Sequence, residues 1–313
     1  MKKTFDILMN RKIQVLSLLL AFLVSCAPQP LNNPNPINPA PQEAVDLDPE
    51  EKGPWDGAIY SATSSDGINF SGKVLLFERS GVPNLLKLQN GDMVLLYQYF
   101  SNTDENLFDT IAYSISKNSG LTWTDTTAIN FENLPDPQNP RLKPMDPAIV
   151  QLEDGRLRLY FTYHTTGSKT PALYSATTSD DNITSSFIVN PSQALITDKN
   201  LLDPAVTYFA GAWHHFTWQD GSDNNYHSIS DDGLTFTMQE EISLPMEFLG
   251  QVVTYEDGLR FYGTGKGMVA SAISADGYNW EMESDKIVQG ADPAVQQLAD
   301  GTYLMVYTSM NFN

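Results

Sequence analysis

The chain has 313 residues, with 18 Lys+Arg against 38 Asp+Glu and a formal net charge of −20. Binding nucleic acid through its phosphates needs clustered Lys and Arg, so this acidity excludes it, and anionic lipid headgroups would repel the surface. A single cysteine excludes a disulfide framework, so the folded part must rest on a large core of its own.

The first predicted element is an export leader over residues 1–25. Lys2, Lys3, Arg11 and Lys12 precede an apolar stretch from Ile13 to Val24. A basic head, a short apolar run and small residues at the cut site describe a secretory signal. The run is too short for a good membrane span. Cys26 closes Leu23-Val24-Ser25-Cys26. That run resembles the bacterial lipobox, whose thiol is diacylated and becomes the new N-terminus. The resemblance implies a mature protein that starts at Cys26, carries acyl chains such as palmitate, and meets the membrane through that lipid anchor only. Ala27 stands where an inner-membrane retention aspartate would be, which implies the outer membrane or cell surface. An ordinary signal with a chance cysteine is the alternative.

Residues 26–54 read as a lipidated tether. Prolines stand at 28, 30, 34, 36, 39, 41, 49 and 54, among Asn, Asp and Glu. Proline lacks a backbone donor and the stretch has little to bury, so it is expected to be extended and disordered.

From Trp55 to Asn313 two signatures interleave. The first is a short strand, a turn and a longer strand. It reads VPNLLKLQNGDMVLLYQYF at 82–100, DPAIVQLEDGRLRLYFTYH at 146–164 and DPAVTYFAGAWHHFTW at 203–218. It returns as LGQVVTYEDGLRFYGTG at 249–265 and DPAVQQLADGTYLMVYTS at 292–309. The second reads YSATSSDGINF (60–70), YSISKNSGLTW (113–123), YSATTSDDNIT (174–184), HSISDDGLTF (227–236) and SAISADGYNW (271–280). Asp-Gly suits the positive backbone angles of a tight turn, so Asp66, Asp231 and Asp276 read as turn formers. The aromatic that follows can pack back on the strand.

Alternation makes these segments strands. Leu157, Leu159, Phe161 and Tyr163 share one face, and Arg158, Tyr160 and Thr162 the other. Repeats of roughly 45–60 residues with four strands each predict an all-β, five-bladed β-propeller. The fifth copy stops after two strands. Residues 57–63 and 72–78 are expected to supply its outer pair, so the N-terminal strands close the last blade.

An Asp-Pro opening the innermost strand, an Asp-Gly hairpin and a Leu/Tyr-rich strand resemble the five-bladed glycoside hydrolases. These are the arabinanase and xylosidase group, family 43, and its invertase-like relatives. The run from Ser116 to Trp123 also resembles the Asp-box of sialidases. Sialidases, however, have six blades and grip a carboxylate with three arginines. After the leader this chain has Arg79, Arg141, Arg156, Arg158 and Arg260, with Arg156 and Arg158 expected away from the channel mouth.

In a propeller the first strand of each blade lines the channel, so Asp146, Asp203 and Asp292 are expected at one mouth. Glu247, just before the fourth copy, would join them. Paired carboxylates are what glycoside hydrolysis uses, one as acid and one as base or nucleophile. The family 43 resemblance implies Asp146 as base, Asp203 as modulator and Glu247 as acid, leaving Asp292 without a role in that scheme. Val82 stands where the family places its base. Equally, an Asp before Pro can bind backbone donors and fix a strand entry. Trp213 and Trp218 could stack on sugar rings. His214 is a candidate for substrate, or for a Ca²⁺ on the propeller axis as in some arabinanases. No organic cofactor and no Cys/His metal spacing is expected. The reading is a monomeric, surface-anchored propeller that hydrolyses glycans or, alternatively, binds a glycan or a protein without catalysis.

Overall fold

The computed structural model describes residues 53–313 apart from 138, 140, 141, 223, 245, 247 and 311–313. The expected leader, Cys26 and the tether up to residue 52 lie outside the described residues. Two strands open the folded part, β1 (Gly57–Ser64) and β2 (Ser71–Glu78). Blade one follows with β3 (Ser80–Lys87), β4 (Met93–Phe100), β5 (Phe108–Ser116) and β6 (Thr127–Ala128), then a short β7 (Phe131–Glu132). Blade two holds β8 (Met145–Gln151), β9 (Leu157–Tyr163), β10 (Ala172–Thr177) and β11 (Phe187–Val189), and β7 pairs parallel with β11. Blade three holds β12 (Leu201–Phe209), β13 (Ala212–Gln219), β14 (Asn225–Ser230) and β15 (Thr237–Ile242). Blade four holds β16 (Phe248–Tyr255), β17 (Gly258–Gly265), β18 (Met268–Ser274) and β19 (Glu281–Ser284). The last strands, β20 (Ala291–Gln297) and β21 (Tyr303–Met310), join β1 and β2 in the order β2-β1-β21-β20.

The protein is therefore an all-β propeller of five blades, closed as expected by its own N-terminal strands. The inner strands touch in a ring: β3 meets β8, β8 meets β12, β12 meets β16, β16 meets β20, and β20 meets β3. Each blade packs on a neighbour through both faces. That is why β9 is buried at every position although its sequence alternates.

The Asp-Gly turns are built by side chains. Ser64 Oγ accepts from the Gly67 amide at 3.0 Å, and Asp66 Oδ1 accepts from the Ile68 and Asn69 amides at 2.9 and 2.7 Å. The Asn69 backbone amide and side chain hold the Asp66 carboxyl well below the usual range. The same geometry recurs at Ser274 and Asp276. In blade three the carboxylate is Asp232, not Asp231: Asp232 Oδ1 takes the Leu234 and Thr235 amides. The spacing from Ser230 selects it.

These turns also join blades. Arg158 of blade two donates to Asp232 O at 2.8 Å, and Tyr160 donates to Gly233 O at 2.8 Å. A Cβ on Gly233 would stand 2.7 Å from Arg158 Nη1. Blade four repeats the device with Arg260 and Tyr262, whose hydroxyl donates to Gly67 O at 3.0 Å. So Arg158 and Arg260 serve the blade interfaces.

Candidate active site at the channel mouth

All five inner strands carry one extra residue near their start, which breaks the register with the second strand. In four blades the bulge begins with a residue in the left-handed region: Val82 (φ 49°), Asp146 (56°), Asp203 (53°) and Asp292 (50°). Each is followed by proline (83, 147, 204 and 293), which has no amide to waste where the ladder is broken. Aspartate tolerates this backbone better than most residues. Val82, β-branched, is strained there, so the fold imposes the conformation whatever the side chain. In blade four Leu249 stands at the aspartate position and Gly250 takes the place of the proline. A Cβ on Gly250 would collide with the backbone carbonyls of Pro293 and Tyr262, so only glycine fits.

Threonines of the preceding blade hold the bulge amides. Asp292 N donates to Thr264 Oγ1 at 3.0 Å and Val82 N to Thr308 Oγ1 at 3.1 Å. The three aspartates thus stand at equivalent heights around one mouth. Asp146 and Asp203 sit on adjacent blades, while Asp292 is separated from them by Val82 of blade one on one side and Leu249 of blade four on the other. Asp146 is buried, and Asp203 and Asp292 are half-buried. Each has a polar or electrostatic partner. Glu247 lies outside the described residues.

Trp218 lies at this end of β13, opposite Leu202, but is buried, and its indole N–H donates to Ser222 O at 3.1 Å. His214 is not on the axis. Strand β13 is second from the channel, and its two faces meet the neighbouring blades rather than the lumen. His214 Nδ1 lies 2.9 Å from His227 Nε2, and the two rings stack. Phe216 continues the stack on His227 and meets Phe261 and Trp280 of blade four edge to face. Burial pushes the His214 imidazole below its ordinary value and that of His227 down to about 4. His214 is thus an interface residue, corrected from a substrate or axial Ca²⁺ ligand. Among the described residues no cluster of three or more His, Cys, Asp or Glu could hold a metal ion.

The lumen is crossed halfway along. Gln251 of blade four donates to Leu85 O of blade one at 2.7 Å, and its Oε1 accepts from Val295 N of blade five at 2.9 Å. Gln296 donates to the same Leu85 carbonyl at 3.0 Å. Blades one and four are not neighbours, so this amide cluster spans the axis between the two mouths.

At the opposite mouth a cavity of about 770 Å³ opens above the amides. Trp213 lines it, at the far end of the toroid from the aspartates. Its other lining residues were not singled out in the sequence. Lys87, Gln151, Tyr208, Thr254 and Gln297 occupy one recurring slot near the end of each inner strand, and Tyr255 follows directly after it. That repeat position was the signal available.

No protein-family model and no curated protein matches the chain. Solved structures do. A family 117 glycoside hydrolase of the marine bacterium Zobellia galactanivorans superposes with a TM-score of 0.54 at 13% identity, over 74% of this chain and 84% of that one. A thermostable family-43 glycoside hydrolase gives 0.52 at 10% identity, over 73% and 88%. A Hadza microbial sialidase gives 0.51 at 14% identity, over 74% and 56%. At such identities the likeness carries the fold alone: the chain has the propeller found in glycoside hydrolases.

Proposed function

We propose that the protein is a carbohydrate-active propeller that hydrolyses glycosidic bonds at the aspartate mouth. The observation that supports this reading is the set of three aspartates at equivalent heights around one end of the lumen, in a fold shared with glycosidases. Hydrolysis needs one carboxylic acid to protonate the leaving oxygen and one carboxylate to activate water or attack carbon. In this reading Asp146 is the base and the adjacent Asp203 orients and tunes it. Glu247 is the acid, and Asp292 adds a fourth carboxylate. The substrate is a neutral glycan, since the strong net negative charge disfavours polyanions.

Incubating the full chain with a panel of aryl glycosides and neutral polysaccharides tests this. Release of reducing ends is the expected result; retention of glycan without any release overturns it. That outcome would support the second reading, a non-catalytic glycan- or protein-binding propeller. The left-handed backbone shared by the aspartates and Val82 is the observation on its side.

The reading includes export and lipid anchoring at Cys26, supported by the basic head, apolar run and Leu-Val-Ser-Cys sequence. Metabolic labelling with a palmitate analogue should mark the wild type and not Cys26→Ser. Equal labelling of both would contradict the anchor.

A further inference from the structure

The mouth opposite the aspartates is built like a ligand site. Its cavity, about 770 Å³, falls within the roughly 300–1,000 Å³ of small-molecule sites. The floor is the amide cluster of Gln251 and Gln296 on Leu85 O. On the wall from blade three, Tyr208 and Trp213 meet edge to face at 5.3 Å, and Tyr208 is 53% exposed, an unusual amount for an aromatic with no protein cover. On the wall from blade four, the Arg260 guanidinium lies 3.6 Å from the centre of the Tyr255 ring, which fixes that ring in place. Arg260 itself is neutralised by Glu283 at 2.6 Å. The remaining charges in the lining, Lys87 and Glu256, are of opposite sign. In a chain of net charge −20 this is a locally balanced, amide- and aromatic-rich chamber.

We infer that this chamber binds a short neutral oligosaccharide, at a second site separate from the aspartate mouth. Each amide offers both donors and an acceptor, as each sugar hydroxyl does. The aromatic faces suit the apolar C–H face of a sugar ring. The two lining charges outside the Arg260–Glu283 pair, Lys87 and Glu256, oppose one another, so the chamber favours neither an anion nor a cation. A purely apolar ligand would leave the amides' remaining donors and acceptors without water. Because the amide cluster crosses the axis, a ligand here does not reach the aspartates. This inference does not depend on hydrolysis.

The test is tryptophan fluorescence and calorimetry on the full chain with neutral gluco-, xylo-, arabino- and galacto-oligosaccharides. At least one should bind and perturb the emission. Tyr208→Ala removes only an exposed ring, and should weaken that binding by at least about tenfold, about 1.4 kcal/mol, with an unchanged melting temperature. Trp213→Ala should abolish the fluorescence response to that ligand. Three results overturn the inference: no binding by any of these sugars, binding by uronic-acid oligosaccharides alone, or affinity unaltered in Tyr208→Ala. Failure of the hydrolase reading shows separately, as absent turnover, and leaves the Tyr208 result standing.

Discussion

Replacing His215 with phenylalanine should make the protein more resistant to acid than the wild type. His215 is 1% exposed on β13, packs beside Phe236 at 5.5 Å, and has no hydrogen-bond partner on either ring nitrogen. Burial, with a smaller push from His227, drives its pKa from 6.5 down to about 3. Burial likewise drives His227 down to about 4. In the unfolded chain both rings protonate near the ordinary value of about 6.5. In the folded chain they stay neutral until far lower pH. Between those values the unfolded state binds more protons, so stability falls as pH drops from about 6.5 towards the folded pKa values. Each pH unit in that window costs about 1.4 kcal/mol for a fully buried histidine. Two units would remove about 3 kcal/mol, against a total of roughly 5–15 kcal/mol for a typical domain.

Phenylalanine keeps the ring and removes both the proton site and the unpaired nitrogens. A buried polar group without a partner costs about 1–3 kcal/mol, so the variant should also gain at neutral pH. The turn carboxylates Asp66 and Asp276 do not act in this window. Their pKa values are depressed, so their contribution is present above the unfolded value, about 4, and fades only below it. Denaturant midpoints of both proteins at about pH 7 and about pH 5 check the claim. The gap should widen on acidification; parallel loss in both would contradict it.

A chain that begins at Arg79 should fail to fold. Strand β1 supplies eight residue pairs to β21, from Gly57↔Met310 to Ser64↔Tyr303. Ile59, fully buried, sits in one cluster with Leu85, Leu95 and Val306. Its truncation to alanine alone would cost about 2–5 kcal/mol. Deletion also removes Gly67, which leaves Arg260 and Tyr262 of blade four uncovered. The combined loss exceeds the stability of a typical domain. Near-ultraviolet circular dichroism should show no fixed aromatic packing in the truncated chain, and a peptide of residues 53–78 added in trans should restore it. Cooperative melting of the truncated chain alone would show that closure is dispensable.

The five blades and their closure were legible in the sequence because the repeats carry their own punctuation: alternation for the strand, and for the turn Ser-x-Asp-Gly in three of the five, with variants at 116–120 and 178–182. Asp231 was misread where two aspartates adjoin, since only the distance from Ser230 selects Asp232. The bulge was not legible. It arises from register between strands, and Val82 adopts it against its own preference. His214 was misplaced for a different reason. Alternation assigns two faces to β13, but not that both meet other blades. The far chamber was hidden because its recurring slot holds unlike residues, Lys87, Gln151, Tyr208 and Gln297, whose common property is position.

The most direct measurement is turnover by Asp203→Asn on whichever glycoside the wild type cleaves. Asparagine keeps the shape and tolerates the same left-handed backbone, so folding should be preserved. Loss of a positioned carboxyl group should lower kcat by about 10²–10⁴-fold at an unchanged melting temperature. A folded variant that turns over at the wild-type rate would remove the aspartate mouth from the chemistry.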